Sequence, residues 1–138
     1  MTAITVRKDV KHQEANVLSY PVKASTKIVE GALVNLTGGY ATNATDTASD
    51  IFVGVADETA DNSAVAVDGN IRVKVVPKGV IEVVAGFSAA ATDCGVKVYA
   101  MDNQTVGLAA TTTNDILVGR IVEVVSASKL RVAITPFA

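Results

Sequence analysis

In parts of the chain, apolar and polar positions alternate every second residue. Between Ile71 and Val76, Ile71, Val73 and Val75 fall on one side while Arg72 and Lys74 fall on the other. Strict period-two alternation predicts a strand with one buried and one wet face. The same pattern recurs in Leu130-Arg-Val-Ala-Ile-Thr, where Leu130, Val132 and Ile134 are expected to point inward. Shorter β-prone runs lie at Ala32–Thr37, Tyr40–Asn43, Ile51–Asp57, Val80–Ala85, Val96–Ala100, Thr105–Ala109 and Ile116–Val125. Turn residues separate them. Gly38-Gly39 predicts a tight hairpin, because both glycines accept positive φ. Asp61-Asn62-Ser63, Asp68-Gly69-Asn70, Pro77-Lys78-Gly79, Met101-Asp-Asn-Gln and Ser126-Ala-Ser-Lys are further turn clusters. Only Phe87–Cys94 could hold a helical turn, closed by Gly95.

This pattern predicts an all-β fold, a compact β-sandwich or small β-barrel of about eight or nine short strands. Residues 1–26 read differently. Charges are frequent, apolar residues are scattered, and Pro21 interrupts regular structure. They are expected to form an extended N-terminal arm that orders on a partner, ahead of a β-rich domain over 27–138. Gly119 inside a strand run predicts a bulge or a close backbone approach. Phe52-Val-Gly-Val-Ala is echoed by Leu117-Val-Gly-Arg-Ile. The expected cause is a shared way of bending a strand rather than a repeat.

Composition narrows the class. Of 138 residues, 49% are apolar and only 4% aromatic. The apolar share excludes a disordered chain. A core so poor in rings predicts a thin sandwich or barrel with part of its apolar surface covered by other subunits. The net charge of −2 points away from nucleic acid. Charge is segregated, however: from Ile28 to Ile71 there are seven acids and no Lys or Arg. The first 27 residues carry Arg7, Lys8, Lys11, Lys23 and Lys27. Solubility accounts for such a distribution; matching to neighbours in an assembly is the sharper reading.

Reactive chemistry is sparse. The single cysteine, Cys94, excludes an internal disulfide, and the single histidine, His12, lies in the predicted arm. No Cys/His spacing suits a metal, no P-loop pattern occurs, and the absence of Trp weighs against a sugar cleft. No apolar run reaches the ~18 residues of a membrane span. The start lacks the h-region of a signal peptide. The expectation is a protein that is not an enzyme and uses no cofactor or metal.

In order along the chain, Glu30-Gly-Ala-Leu-Val, Gly38-Gly39-Tyr40 and Phe52-Val-Gly-Val-Ala-Asp precede Lys74-Val-Val-Pro-Lys-Gly-Val-Ile-Glu-Val. Ala91-Thr-Asp-Cys-Gly-Val-Lys-Val-Tyr, Ile116-Leu-Val-Gly-Arg-Ile-Val-Glu-Val and Leu130-Arg-Val-Ala-Ile-Thr follow. This order, from about Lys27 to Thr135, resembles the small β-rich decoration (cement) proteins of tailed-phage capsids. Some of these have been labelled RecA-like recombinases, a label that the missing P-loop opposes. The resemblance implies a homotrimer on the outside of the capsid, made in the host cytoplasm and bridging neighbouring copies of the major capsid protein. Nucleic acid and membrane are not implied as partners. The arm, with Arg7, Lys8, Lys11, Tyr20 and Lys23, is the expected capsid-binding segment. A head-fibre base or a carbohydrate-binding β module is the alternative.

Overall fold

A computed structural model describes residues 17–136. Twelve strands make up this region: β1 (Leu18–Pro21), β2 (Lys27–Ile28), β3 (Leu33–Thr37), β4 (Tyr40–Asn43), β5 (Ile51–Ala56), β6 (Ala60–Asp61), β7 (Arg72–Val76), β8 (Val80–Ala85), β9 (Lys97–Ala100), β10 (Thr105–Gly107), β11 (Leu117–Ser126) and β12 (Lys129–Ile134). The only helical element among the described residues is one 3₁₀ turn at Ala91–Asp93. The protein is all-β, as the alternation predicts. Two of the extra strands, β2 and β6, are a two-residue pair whose shortness leaves no periodicity to read.

The strands form two five-stranded units. The first is a sheet in the order β1-β7-β5-β3-β4, and the second a closed barrel in the order β8-β12-β11-β9-β10. The first sheet curls until its edges meet at a parallel bridge between Val22 and Ala41, where the Lys23 N–H donates to Ala41 O at 2.9 Å. Pro77-Lys78-Gly79, predicted as a turn, is the junction between the units.

The two units have one topology. Numbering the five long strands of each in chain order, both run first, fifth, fourth, second, third around the ring. In both, the contact between first and third is parallel and the other four are antiparallel. Register agrees as well. Val34 faces Gly54 as Val98 faces Gly119, and Ala56 faces Val75 as Ile121 faces Val132. Leu18 faces Val75 as Ile81 faces Val132, and Leu36 faces Ala41 as Ala100 faces Val106. Each unit carries a register shift at the same place, which leaves Val53 in β5 and Val118 in β11 as the extra residue. Gly31 and Gly95 share φ +88, and each donates its N–H to the equivalent carbonyl, Ala56 O and Ile121 O. The echo around Gly54 and Gly119 therefore marks equivalent positions of a repeated structural unit, contrary to the sequence-based expectation. A bend could recur by chance at one glycine. A shared ring order, sense, register and bulge together make a structural repeat.

The stretch 17–26 belongs to the first unit, not to an arm. β1 pairs with β7, and Val22 is fully buried. Pro21 is tolerated because it ends its strand. The arm expectation thus concerns residues 1–16, which lie outside the described residues.

Each unit has its own core. Val22, Ile28, Val34, Val53, Val73 and Val75 fill the first. Val98, Val106, Val118, Ile121, Leu130 and Val132 fill the second, and Leu33, Ala44 and Phe52 of the first unit join that second cluster. Those three side chains weld the units together. Polar bonds add to the weld: the Leu33 N–H donates to Asn103 O at 2.9 Å, and Asp46 accepts from the backbone N–H groups of Thr113 (2.7 Å) and Asn114 (2.9 Å).

Buried Asn62 holds the 62–68 loop against the chain entry. Its Nδ2 lies 3.1 Å from Lys23 O, 3.1 Å from Val67 O and 3.4 Å from Val22 O. Asn62→Ala removes all three bonds at once, leaving Val22 O only the Gly69 N–H at 2.8 Å, and should cost about 2 kcal/mol. Urea denaturation measures this, and an unchanged midpoint would show that the loop is held by other means.

Candidate interaction surface

The expected capsid-binding residues fall in different settings. Arg7, Lys8 and Lys11 lie outside the described residues. Tyr20 sits on β1 opposite Val73, half-buried and packed on the first core, and its hydroxyl pKa is raised by that burial. Lys23 is half-buried, with its backbone committed to Ala41 and Asn62. Tyr20 and Lys23 thus share one corner of the first unit, and their backbones serve the fold there.

A different surface stands out, one that residue-by-residue reading missed because it depends on strand order. Val80 and Val84 of β8 flank β12, facing Ala133 and Lys129. On the other side, Val122 and Val125 occupy the two register irregularities of β11. All four valines are exposed, between 36% and 48%. Lys129 and Arg131 project among them, paired to Glu82 at 3.3 Å and Glu123 at 3.2 Å. A single exposed valine is ordinary, but four around one strand with paired charges between them form a mixed apolar and charged face. The valines were legible as strand residues. The exposure of Val122 and Val125 was not, since alternation fails at a bulge.

Where the units meet, Ser49–Phe52 and the equivalent Asn114–Leu117 line one open depression together with Pro136. Its carboxylates, Asp50 and Asp115, are already bonded, Asp50 to Thr37 at 2.8 Å and Asp115 to Thr112 at 2.7 Å. Among the described residues no three His, Cys, Asp or Glu side chains gather as metal ligands. Cys94 is exposed and donates its Sγ–H to Val122 O.

Asp46 makes the weld between units sensitive to acid. The backbone N–H groups of Thr113 and Asn114 stabilise its charged form and hold its carboxyl below the usual value. A folded-state pKa below the unfolded one adds stability above the unfolded value, and that stability is lost as pH falls through the folded pKa. Melting temperature should therefore drop below about pH 4, the ordinary carboxylate range. Asp46→Ala should start lower at pH 6 and fall less steeply in acid. Parallel thermal scans between pH 6 and pH 2.5 check this, and identical slopes would remove Asp46 from the account.

Compared with family models, curated proteins and solved structures, the chain finds no match.

Proposed function

We propose that this chain is a structural virion protein. It binds the outer surface of a phage capsid as a homotrimer and stabilises the shell by bridging neighbouring major capsid subunits. The observation that carries the reading is the outer face of β8, β12 and β11, where four exposed valines surround Lys129 and Arg131. An apolar surface divided by oriented charges suits contact with a folded protein, because burial supplies affinity while the charges fix register. The order of motifs from Glu30 to Thr135 supports the same reading. A curled sheet welded to a closed barrel suits a cement role, since a bridging protein resists separation of its anchors only if it does not itself deform.

The test mixes purified protein with capsids lacking it, followed by sedimentation and heating of the heads. Co-sedimentation at fixed stoichiometry and a raised temperature of head rupture are the expected results. A protein that stays in the supernatant and leaves rupture unchanged refutes the role. Deleting residues 1–16 in the same assay separates the arm from the barrel face, with lowered occupancy expected if Arg7, Lys8 and Lys11 contribute.

A further inference from the structure

The two units differ where their first and third strands meet. In the second unit this seam holds two successive bridges, Val84 to Thr105 and Ala85 to Val106. The Val84 N–H donates to Gln104 O at 2.9 Å, and the Gly86 N–H to Val106 O at 2.8 Å. Val22 and Ala41 of the first unit match Ala85 and Val106, so Pro21 matches Val84 and Gly39 matches Gln104. The Lys23 N–H donates to Ala41 O as Gly86 does to Val106 O. The other bond cannot form, because proline has no N–H to offer Gly39 O. One isolated bridge remains. Burial is also lower on this side. None of the four residues Leu18–Pro21 is buried, whereas Val83, which matches Tyr20, is 5% exposed. A side chain clasps β1 at Ser19: Arg72 donates from Nε to the Ser19 hydroxyl at 2.9 Å and from Nη2 to Ser19 O at 2.8 Å, both at the surface. From Val22 onward the chain is fixed, since Val22 is fully buried and Asn62 bonds to Val22 O and Lys23 O.

We propose that β1 is a strap that opens: Leu18–Pro21 swings away from β4 and β7 about a pivot at Val22, while the rest of the first unit stays folded. Pro21 sets the weak point. Leaving out one backbone bond favours opening by about 5-fold, and no second bridge on this seam makes up for it. Local opening takes the segment with few buried apolar contacts and surface-exposed bonds, which describes β1 and not β8. Tyr20, half-buried on the first core, and the Arg72 clasp hold the strap shut in the resting molecule. Opening carries the chain ahead of it. Four strand residues released at ~3.3 Å each extend the reach of residues 1–16 by about 13 Å. That use of the strap, a longer reach toward a neighbouring shell subunit, rests on the shell-binding reading above. The opening itself does not.

Native-state hydrogen exchange of the full chain in solution, followed amide by amide by NMR, tests the strap, with the second unit as internal reference. After correction for intrinsic rates, Leu18 and Tyr20 should exchange at least about 100-fold faster than their matches Ile81 and Val83, while Val22 stays within about 10-fold of Ala85. Two variants separate the seam from fraying of a strand end. Pro21→Val restores the missing donor and should slow Tyr20 about 5-fold, and Arg72→Gln removes the clasp on Ser19 and should speed it by a similar factor. Unchanged rates at Ile81 and Val83 show that each variant is folded. If Pro21→Val does not fold, the wild-type ratio and Arg72→Gln decide in its place. Failure of the chain to bind shells removes the proposed use and leaves the opening standing. Equal rates at Tyr20 and Val83 in the wild-type chain, or a Tyr20 rate indifferent to a folded Pro21→Val, overturn the strap and leave the shell role untouched.

Discussion

Gly119→Ala should lower stability by about 3 kcal/mol, or roughly 10 °C in Tm for a chain of this size. A Cβ on Gly119 would fall inside the contact shell of Ala133 O, and 2.9 Å from both Ala133 C and Ile134 Cα. All three are backbone atoms of β12, the strand paired with β11, so relief requires separating two central strands of a closed barrel. Gly54→Ala should cost at least as much. A Cβ there meets Val76 O and lies 2.7 Å from Val75 Cγ1, and Gly54 also has φ +142, which alanine rarely adopts. The hairpin glycines provide the contrast. Gly38 has φ +57 with nothing near a Cβ, so Gly38→Asn should cost little. Calorimetry on the three variants separates crowding from backbone conformation. A Gly119→Ala protein that melts with the wild type would disprove the close approach on which the matched registers depend.

Phe52→Ala should produce the other large effect, about 3–5 kcal/mol. Phe52 is 2% exposed and stands on β5 of the first unit, yet its side chain belongs to the core of the second. Truncating it leaves a cavity at the weld, which the surrounding barrel strands can fill only in part. The loss should also alter cooperativity. The intact chain should melt in one calorimetric transition, because Leu33, Ala44 and Phe52 share a core with the closed barrel. In the variant the first sheet, joined at its edges by one bridge, should melt before the barrel. A single transition with a shift below about 1 kcal/mol would mean the units are joined mainly by the polar bonds of Asp46 and Asn103.

The candidate site was only partly legible. Arg131 could be read as outward-facing from alternation alone. The equivalence of the two units could not, because the matching positions lie about sixty residues apart with few identities between them. The exposed valines of β11 were hidden for a different reason: a bulge breaks period two, so Val122 and Val125 read as part of a buried run.

The sequence by itself determined that the described residues are β in character, where most strands begin and end, and which side chains of β7 and β12 face inward. These follow from local physics, the period of side-chain direction and the backbone freedom of glycine at turns. Tertiary structure alone decided that the strands divide into two matching rings, that residues 17–26 enter the first of them, and that Phe52 is buried in the second. Strand pairing between distant segments is selected by the total burial and hydrogen bonding of the closed ring. Many pairings satisfy the same local alternation, and the ring that buries all of them at once is a property of the whole chain.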